Sequence, residues 1–269
     1  MGELVELAQR SGKLEISDTV RLLVGIEHEG ELFRTVRLDE MTGYDEELLA
    51  NPKFKAVPAR GITAMLRRVV QEIPGVMPAK KDPMKLAPVD LFRRMYQADR
   101  DMLLVACRLL SFGAEMTVRW QCPSCKEQNE DDVDLTELEV REWPDGEEPT
   151  MDFVLPKGIF LDGKMRIKGT MRLPTGKDSE PLSQLARTDP GGATSAMLAA
   201  LIVDLDGVKP DRMQMQRMRS SDRQFLGELF QRQLPGVRLE ADLVCPACYA
   251  MNPGQSLDMS GFFSPTSTQ

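Results

Sequence analysis

The sequence predicts an α+β protein of two pseudo-repeated halves whose ends meet at one four-cysteine knuckle. Three observations carry this expectation. Short β-branched segments alternate with stretches of helical periodicity along the 269 residues. One ordered set of motifs occurs twice, and each occurrence ends in Cys-Pro-x-Cys, first at Cys122 and Cys125, then at Cys245 and Cys248.

The elements follow in order. Residues 4–17 alternate weakly and read as an arm or short helix. Residues 19–26 and 31–38 are apolar and β-branched around Glu29-Gly30, the pattern of a hairpin. Thr42 or Asp45 caps a short helix that stops before Pro52. Over 58–73, Ile62, Met65, Leu66, Val69, Val70 and Ile73 recur at helical spacing, and Pro74-Gly75 ends the run. A Lys-Pro-rich connector over 78–88 leads to the clearest helical pattern, 90–110, whose apolar stripe takes in Cys107. Gly113 breaks it, and 114–121 extends into the first cysteine pair.

Residues 127–152 hold twelve acids and one base, Arg141. They read as a solvated connector with a short strand at 133–135, or as an acidic surface for a basic partner. Short strands are expected at 153–155, 158–161 and 165–173. Thr188-Asp189-Pro190 opens a helix with an apolar section at 197–205, and Ser221 or Asp222 caps another that Pro235-Gly236 closes. Strand-like 237–244 enters the second cysteine pair. The divisions read from this pass are an N-terminal arm and hairpin start (1–34), a first half-repeat (35–136), the acidic connector and short strands (137–164), a second half-repeat (165–263) and a polar tail (264–269).

Self-comparison supplies the duplication. Asp99-Arg100 and Asp222-Arg223 each begin 23 residues before their first cysteine, an offset of 123 that also aligns Met102-Leu103 with Phe225-Leu226, Gly113 with Gly236 and Asn129 with Asn252. Upstream, Thr42-Gly43-Tyr44-Asp45-Glu46-Glu47 matches Thr175-Gly176-Lys177-Asp178-Ser179-Glu180 at offset 133.

A tight Cys-x-x-Cys turn directs two sulfurs at one ion, and a closed tetrahedral zinc site takes four. Each half supplies two, so Cys122, Cys125, Cys245 and Cys248 make one structural Zn²⁺ site joining the ends of the halves in a zinc-ribbon-like arrangement. No vertex is left for water or substrate. Four thiolates and Zn²⁺ carry a net charge of −2, which backbone N–H groups, with Asn129 and Asn252 nearby, would ease. A redox pair is the competing reading, but both pairs follow extended segments rather than opening a helix. Five cysteines, four on metal and Cys107 buried, fit a reducing compartment better than disulfides with one spare thiol.

Composition excludes other classes. A net charge of −8 is the wrong sign for a protein that coats duplex nucleic acid. No apolar run approaches the roughly 20 residues of a membrane span, and residues 1–10 lack an export-signal layout, so a cytoplasmic setting is expected. There is no phosphate-binding Gly-rich loop, His28 is the single imidazole, and Ser17, Ser111 and Ser183 lack a nucleophile's context. The expectation is a non-enzymatic protein. The bottom-up competitor is a zinc-ribbon nucleic-acid adaptor with Arg60, Arg67, Arg68, Arg93 and Arg94 as its basic face.

Val36-Arg37-Leu38 with the Thr42 block, Trp120 to Cys125, Met171-Arg172-Leu173-Pro174 with the Thr175 block, and Val244 to Cys248 together resemble the baseplate hub proteins or hub-assembly chaperones of T4-type contractile phages and related injection particles, over residues 35–263. The resemblance implies a role in building the baseplate centre beside spike, tail-tube and tape-measure proteins. It carries the cysteine pairs over to Cys122, Cys125, Cys245 and Cys248, and implies residence in the producing cell's cytoplasm during assembly or in the tail baseplate of the virion. Helical surfaces over 59–73 and 90–110 and the acidic stretch 127–152 are the candidate contact regions.

Overall fold

The structure, a computed structural model, describes residues 7–9, 13–257 and 262–263. A two-residue strand, β1 (Ala8–Gln9), precedes the hairpin β2 (Thr19–His28) and β3 (Glu31–Leu38). Three helices follow, α1 (Gly43–Ala50), α2 (Pro52–Ala56) and α3 (Pro58–Val69), and the chain returns as β4 (Val70–Glu72) beside β3. Next come α4 (Val89–Arg94), α5 (Gln97–Phe112) and the hairpin β5 (Glu115–Gln121) and β6 (Gln128–Asp134). A 3-10 turn over Leu135–Glu137 leads to β7 (Val140–Glu142).

The same sequence of elements then recurs. The hairpin β8 (Thr150–Leu161) and β9 (Lys164–Arg172) is followed by α6 (Gly176–Thr188), α7 (Pro190–Leu201) and β10 (Ile202–Leu205), which pairs with β9 as β4 does with β3. Then α8 (Arg212–Gln216), α9 (Ser220–Gln233), β11 (Gly236–Val237) and the hairpin β12 (Glu240–Val244) and β13 (Met251–Ser256) complete the second half. Strand orders β2-β3-β4 and β8-β9-β10 are equivalent, and both sheets are antiparallel. β7 pairs with both β1 and β11, so the start of the chain, the middle and the end of the second half share one small sheet.

The duplication extends to backbone detail. α1 and α6 open on Thr42 and Thr175 with matching angles (φ −118°, ψ 167° and φ −120°, ψ 171°), and each carries a reciprocal capping box with Asp45 or Asp178. α3 and α7 each begin on proline, whose fixed φ suits the first helical turn. Both long strands bulge at a left-handed glycine, Gly25 (φ +106°) in β2 and Gly158 (φ +74°) in β8. Over the first bulge, the N–H groups of Leu23, Val24 and Gly25 donate to the carboxylate of Asp99 in α5 at 2.7, 2.8 and 3.0 Å. Over the second, Lys157 donates to Asp222 of α9 at 2.9 Å. Pro156 stands where Leu23 stands in the first half and has no N–H to give, and Asp222 Oδ2 is buried without a partner.

The arginines after these two acids are equivalent as well. Arg100 donates to the Phe92 carbonyl and Thr63 Oγ1, while Arg223 donates to the Met215 carbonyl and Ser195 Oγ. One continuous apolar core runs through both halves, including Leu22, Leu103, Trp143, Met171 and Leu201.

Several elements differ from the sequence expectation. The helix read over 58–73 ends at Val69, and the one read through 205 ends at Leu201; in each the remaining β-branched residues form an edge strand, β4 or β10. Helical and strand patterns are alike over a few apolar residues, and sheet pairing decides between them. The pattern over 90–110 is two helices: Met95 and Tyr96 are in extended backbone, and Tyr96 forms a bridge to Thr175. Its second part, α5, is buried along most of its length and is core, not a contact surface.

The acidic stretch keeps its acids toward solvent but holds more strand than expected. Residues 128–134 are β6, where Arg119 pairs with Glu130, Trp120 Nε1 donates to Asp131 and Thr117 donates to Asp132; Trp143 beyond it is 1% exposed. The short strands expected at 153–155 and 158–161 are one strand, β8, which pairs with β9, and the divisions at 34/35 and 164/165 both fall inside strands. In the stretch read as an arm or short helix, Ala8 and Gln9 form a strand; residues 4–6 and 10–12, and the tail 264–269, lie outside the described residues.

Candidate metal centre

The two cysteine pairs sit at the tips of equivalent hairpins. In the first, Cys122 N–H donates to the Glu127 carbonyl at 2.9 Å and Lys126 N–H donates to the Cys122 carbonyl at 2.9 Å. In the second, Cys245 N–H donates to the Ala250 carbonyl at 3.0 Å and Tyr249 N–H donates to the Cys245 carbonyl at 2.8 Å. Lys126 (φ +66°) and Tyr249 (φ +60°) are both left-handed, which turns each loop back on itself. Asn129 and Asn252 brace the turns alike, donating from Nδ2 to the carbonyls of Glu127 and Ala250 at 3.1 and 2.9 Å.

These loops bring Cys122, Cys125, Cys245 and Cys248 together from opposite ends of the chain. All four sulfurs lie within 4.8 Å of one another. Cys122 Sγ is 3.8 Å from Cys248 Sγ, and Cys125 Sγ is 3.6 Å from Cys245 Sγ. A disulfide requires roughly 2.05 Å. A tetrahedron of four sulfurs at about 2.3 Å from zinc has edges of about 3.8 Å, so the donor set and its size fit a closed thiolate zinc site. In each pair the first cysteine is buried and the second exposed, which leaves one face of the cluster toward solvent.

The electrostatics follow from the turns. The N–H of Cys125, with that of Ser124 and the neighbouring thiols, overcomes desolvation and holds Cys122 down at about 6. Burial works to raise Cys245, but the N–H groups of Cys248 and Ala247, helped by the thiols of Cys125 and Cys248, lower it. Cys125 is pushed up to about 12: the Glu127 N–H lowers it, while desolvation and the thiols around it prevail. Two sulfurs thus favour the thiolate and a third resists it, a conflict that a divalent cation at the centre would resolve. Asn129 Nδ2, 3.8 Å from Cys245 Sγ, reaches from one half to a sulfur of the other. Cys107 stands apart in α5, its thiol raised to about 12 chiefly by burial, as expected for a packing residue.

The proposed basic face is engaged internally. Arg68 pairs with Asp45, Arg67 donates to the Ala87 carbonyl, Arg93 lies 3.4 Å and Arg60 4.0 Å from Glu180, and Arg94 reaches the Asp90 carbonyl. Sequence reasoning used Asp99 and Asp222 as markers of the repeat and missed that they fasten α5 and α9 to the bulged strands. Gly25 and Gly158 share the offset of 133 and were the available signal.

Together these features define a repeat-built structural protein whose two halves converge on a closed four-sulfur cluster. The family model described as T4 bacteriophage base plate protein matches residues 34–264, and the chain belongs to that family. It is accordingly a baseplate protein that works with other baseplate and tail components, and not an enzyme. No curated protein and no solved structure matched the chain. Among the described residues no helix is long and apolar enough to cross a membrane.

Proposed function

We propose that the protein is a hub component or hub-assembly protein of a contractile tail baseplate, with Cys122, Cys125, Cys245 and Cys248 holding one structural zinc. The observation that carries this reading is the match to the baseplate family over residues 34–264, a span that contains both equivalent cysteine hairpins. Zinc would fix the tips of the two halves against each other, and the chain's own part is to supply four sulfurs and the N–H groups that temper their charge. The partners expected are spike, tail-tube and tape-measure proteins, met in the cytoplasm of the producing cell. The nucleic-acid adaptor reading is weakened by the engagement of Arg60, Arg67, Arg68, Arg93 and Arg94 within the chain.

Affinity capture of the full chain during particle assembly, with mass spectrometry of the captured proteins and of purified particles, tests the proposal. Recovery with tail proteins and retention in particles identifies a hub component; recovery with tail proteins before maturation alone identifies an assembly factor. Recovery with nucleic-acid machinery and no tail protein overturns both.

A further inference from the structure

One contact between the halves is made once, although the chain carries both of its sides twice. At the N-terminus of α6, Gly176 N–H donates to the Met95 carbonyl at 3.1 Å, and Gln97 N–H donates to the Pro174 carbonyl at 2.8 Å. This seats Thr175-Gly176 in the break between α4 and α5. The fit depends on the absence of a side chain: a Cβ on Gly176 would stand 2.3 Å from Arg100 Nη1 and 2.9 Å from the Phe92 carbonyl oxygen.

The inserted edge recurs at Thr42-Gly43, with the backbone angles of Thr42 matching those of Thr175. The receiving break recurs before α9. Met218 lies 123 residues after Met95, and Arg219 (φ −64°, ψ 147°) has the backbone of Tyr96 (φ −60°, ψ 147°). Arg223 stands behind that break as Arg100 stands behind the first. These second copies do not meet within the chain. Among the described residues, the Met41 and Met218 carbonyls and the Gly43 and Ser220 N–H groups make none of the bonds that their counterparts make. Thr42, Gly43, Arg219 and Ser220 are exposed, and the space a Cβ would take at Gly43 is empty.

We propose that the second pair meets between molecules: the Thr42-Gly43 edge of one copy docks in the break at Met218 to Ser220 of another, head to tail. The charges are complementary. Exposed Glu46 and Glu47 flank the edge, exposed Arg217 and Arg219 flank the break, and none of the four is ion-paired among the described residues. Lys177 and Tyr96 line one groove at the internal contact; the equivalent positions between copies are Tyr44 and Arg219, with base and aromatic exchanged. A contact of this kind uses two different surfaces, so repetition builds a ring or an open row of copies.

Sedimentation velocity on the full chain over a range of concentrations tests the proposal, with two variants that each block one side. Gly43→Leu fills the open space before the edge. Ser220→Pro deletes one N–H at the first residue of α9, where proline is accommodated and where the extended backbone of Arg219 suits the residue before it. Wild type is expected to associate beyond a dimer as concentration rises, and each variant alone to associate at least about tenfold more weakly. An equimolar mixture of the two should form a one-to-one pair and stop there, because each retains the side the other has lost. Melting curves confirm that the variants fold, and Arg219→Glu replaces Ser220→Pro if the latter does not. Wild type that stays monomeric at its highest soluble concentration, or assemblies that persist unchanged in both variants, would overturn the proposal.

Discussion

Asp99 and Asp222 occupy equivalent places and carry unequal loads. Asp99 satisfies three strand N–H groups, whereas Asp222 receives one and keeps a buried oxygen unpartnered. Near pH 4, Asp99→Asn should therefore cost about 3 kcal/mol in urea unfolding and Asp222→Asn less than about 1 kcal/mol, since a buried donor left unmatched costs more than a bond never made. Equal losses would show that the acids act by something other than these bonds.

Asp99 and Asp178 give opposite pH signatures. Burial pushes Asp99 up to about 7 despite its three N–H donors, so its contribution is fullest below the ordinary carboxylate range, about 4, and is lost as pH rises toward 7. Asp178 is opposed by burial but is lowered by the paired Arg172 and by Thr175, so its contribution is present above about 4 and lost as pH falls further. The stability difference between wild type and Asp99→Asn should shrink from pH 4 to 7, and that between wild type and Asp178→Asn should shrink below pH 4; urea midpoints across this range decide both.

At the scale of elements, much of the fold is legible because motifs state it twice. The first hairpin, the capped helix at Thr42 and the strand entering each cysteine pair are readable from alternation and capping. The turn into β4 or β10 is not, because Val70 and Ile202 leave the helix with no glycine or proline to mark the end. The break at Met95 is invisible locally, since no glycine or proline marks it and the Thr175 edge seated in it lies some eighty residues away. β6 was obscured by its charge: its acids are paired across the hairpin with Arg119, Trp120 and Thr117, contacts that composition alone does not reveal.

The Thr-Gly repeats make a prediction at this scale. Gly176→Ala should destabilise the protein by about 2 kcal/mol, as expected of overpacking, because its Cβ would meet Arg100 and the Phe92 carbonyl. Gly43→Ala should be neutral or slightly stabilising in the isolated chain, where nothing lies near and alanine favours the helix. Melting curves showing the two substitutions equivalent would mean that the α6 contact contributes little.

Across the whole molecule, one core spans both halves and the cysteine cluster closes the chain at its far end. The cluster was the most legible feature, since four cysteines at equal spacing from a repeated Asp-Arg need few other readings. What holds the halves together elsewhere was hidden, because β1, β7 and β11 are two or three residues each and come from three distant places. If the cluster acts as a clamp, Cys125→Ser or Cys248→Ser should lower the melting temperature far more than Cys107→Ser, since metal binding in a closed site contributes folding free energy. Indistinguishable melting temperatures with full metal occupancy would contradict that ranking.

The most direct measurement is zinc K-edge absorption fine structure, with metal content determined on the same freshly purified, reduced protein. The account predicts one zinc per chain surrounded by four sulfurs at about 2.3 Å, lost when Cys125 and Cys248 are both replaced by serine. Protein that binds no zinc, or zinc ligated by nitrogen and oxygen and unaffected by those replacements, would contradict it.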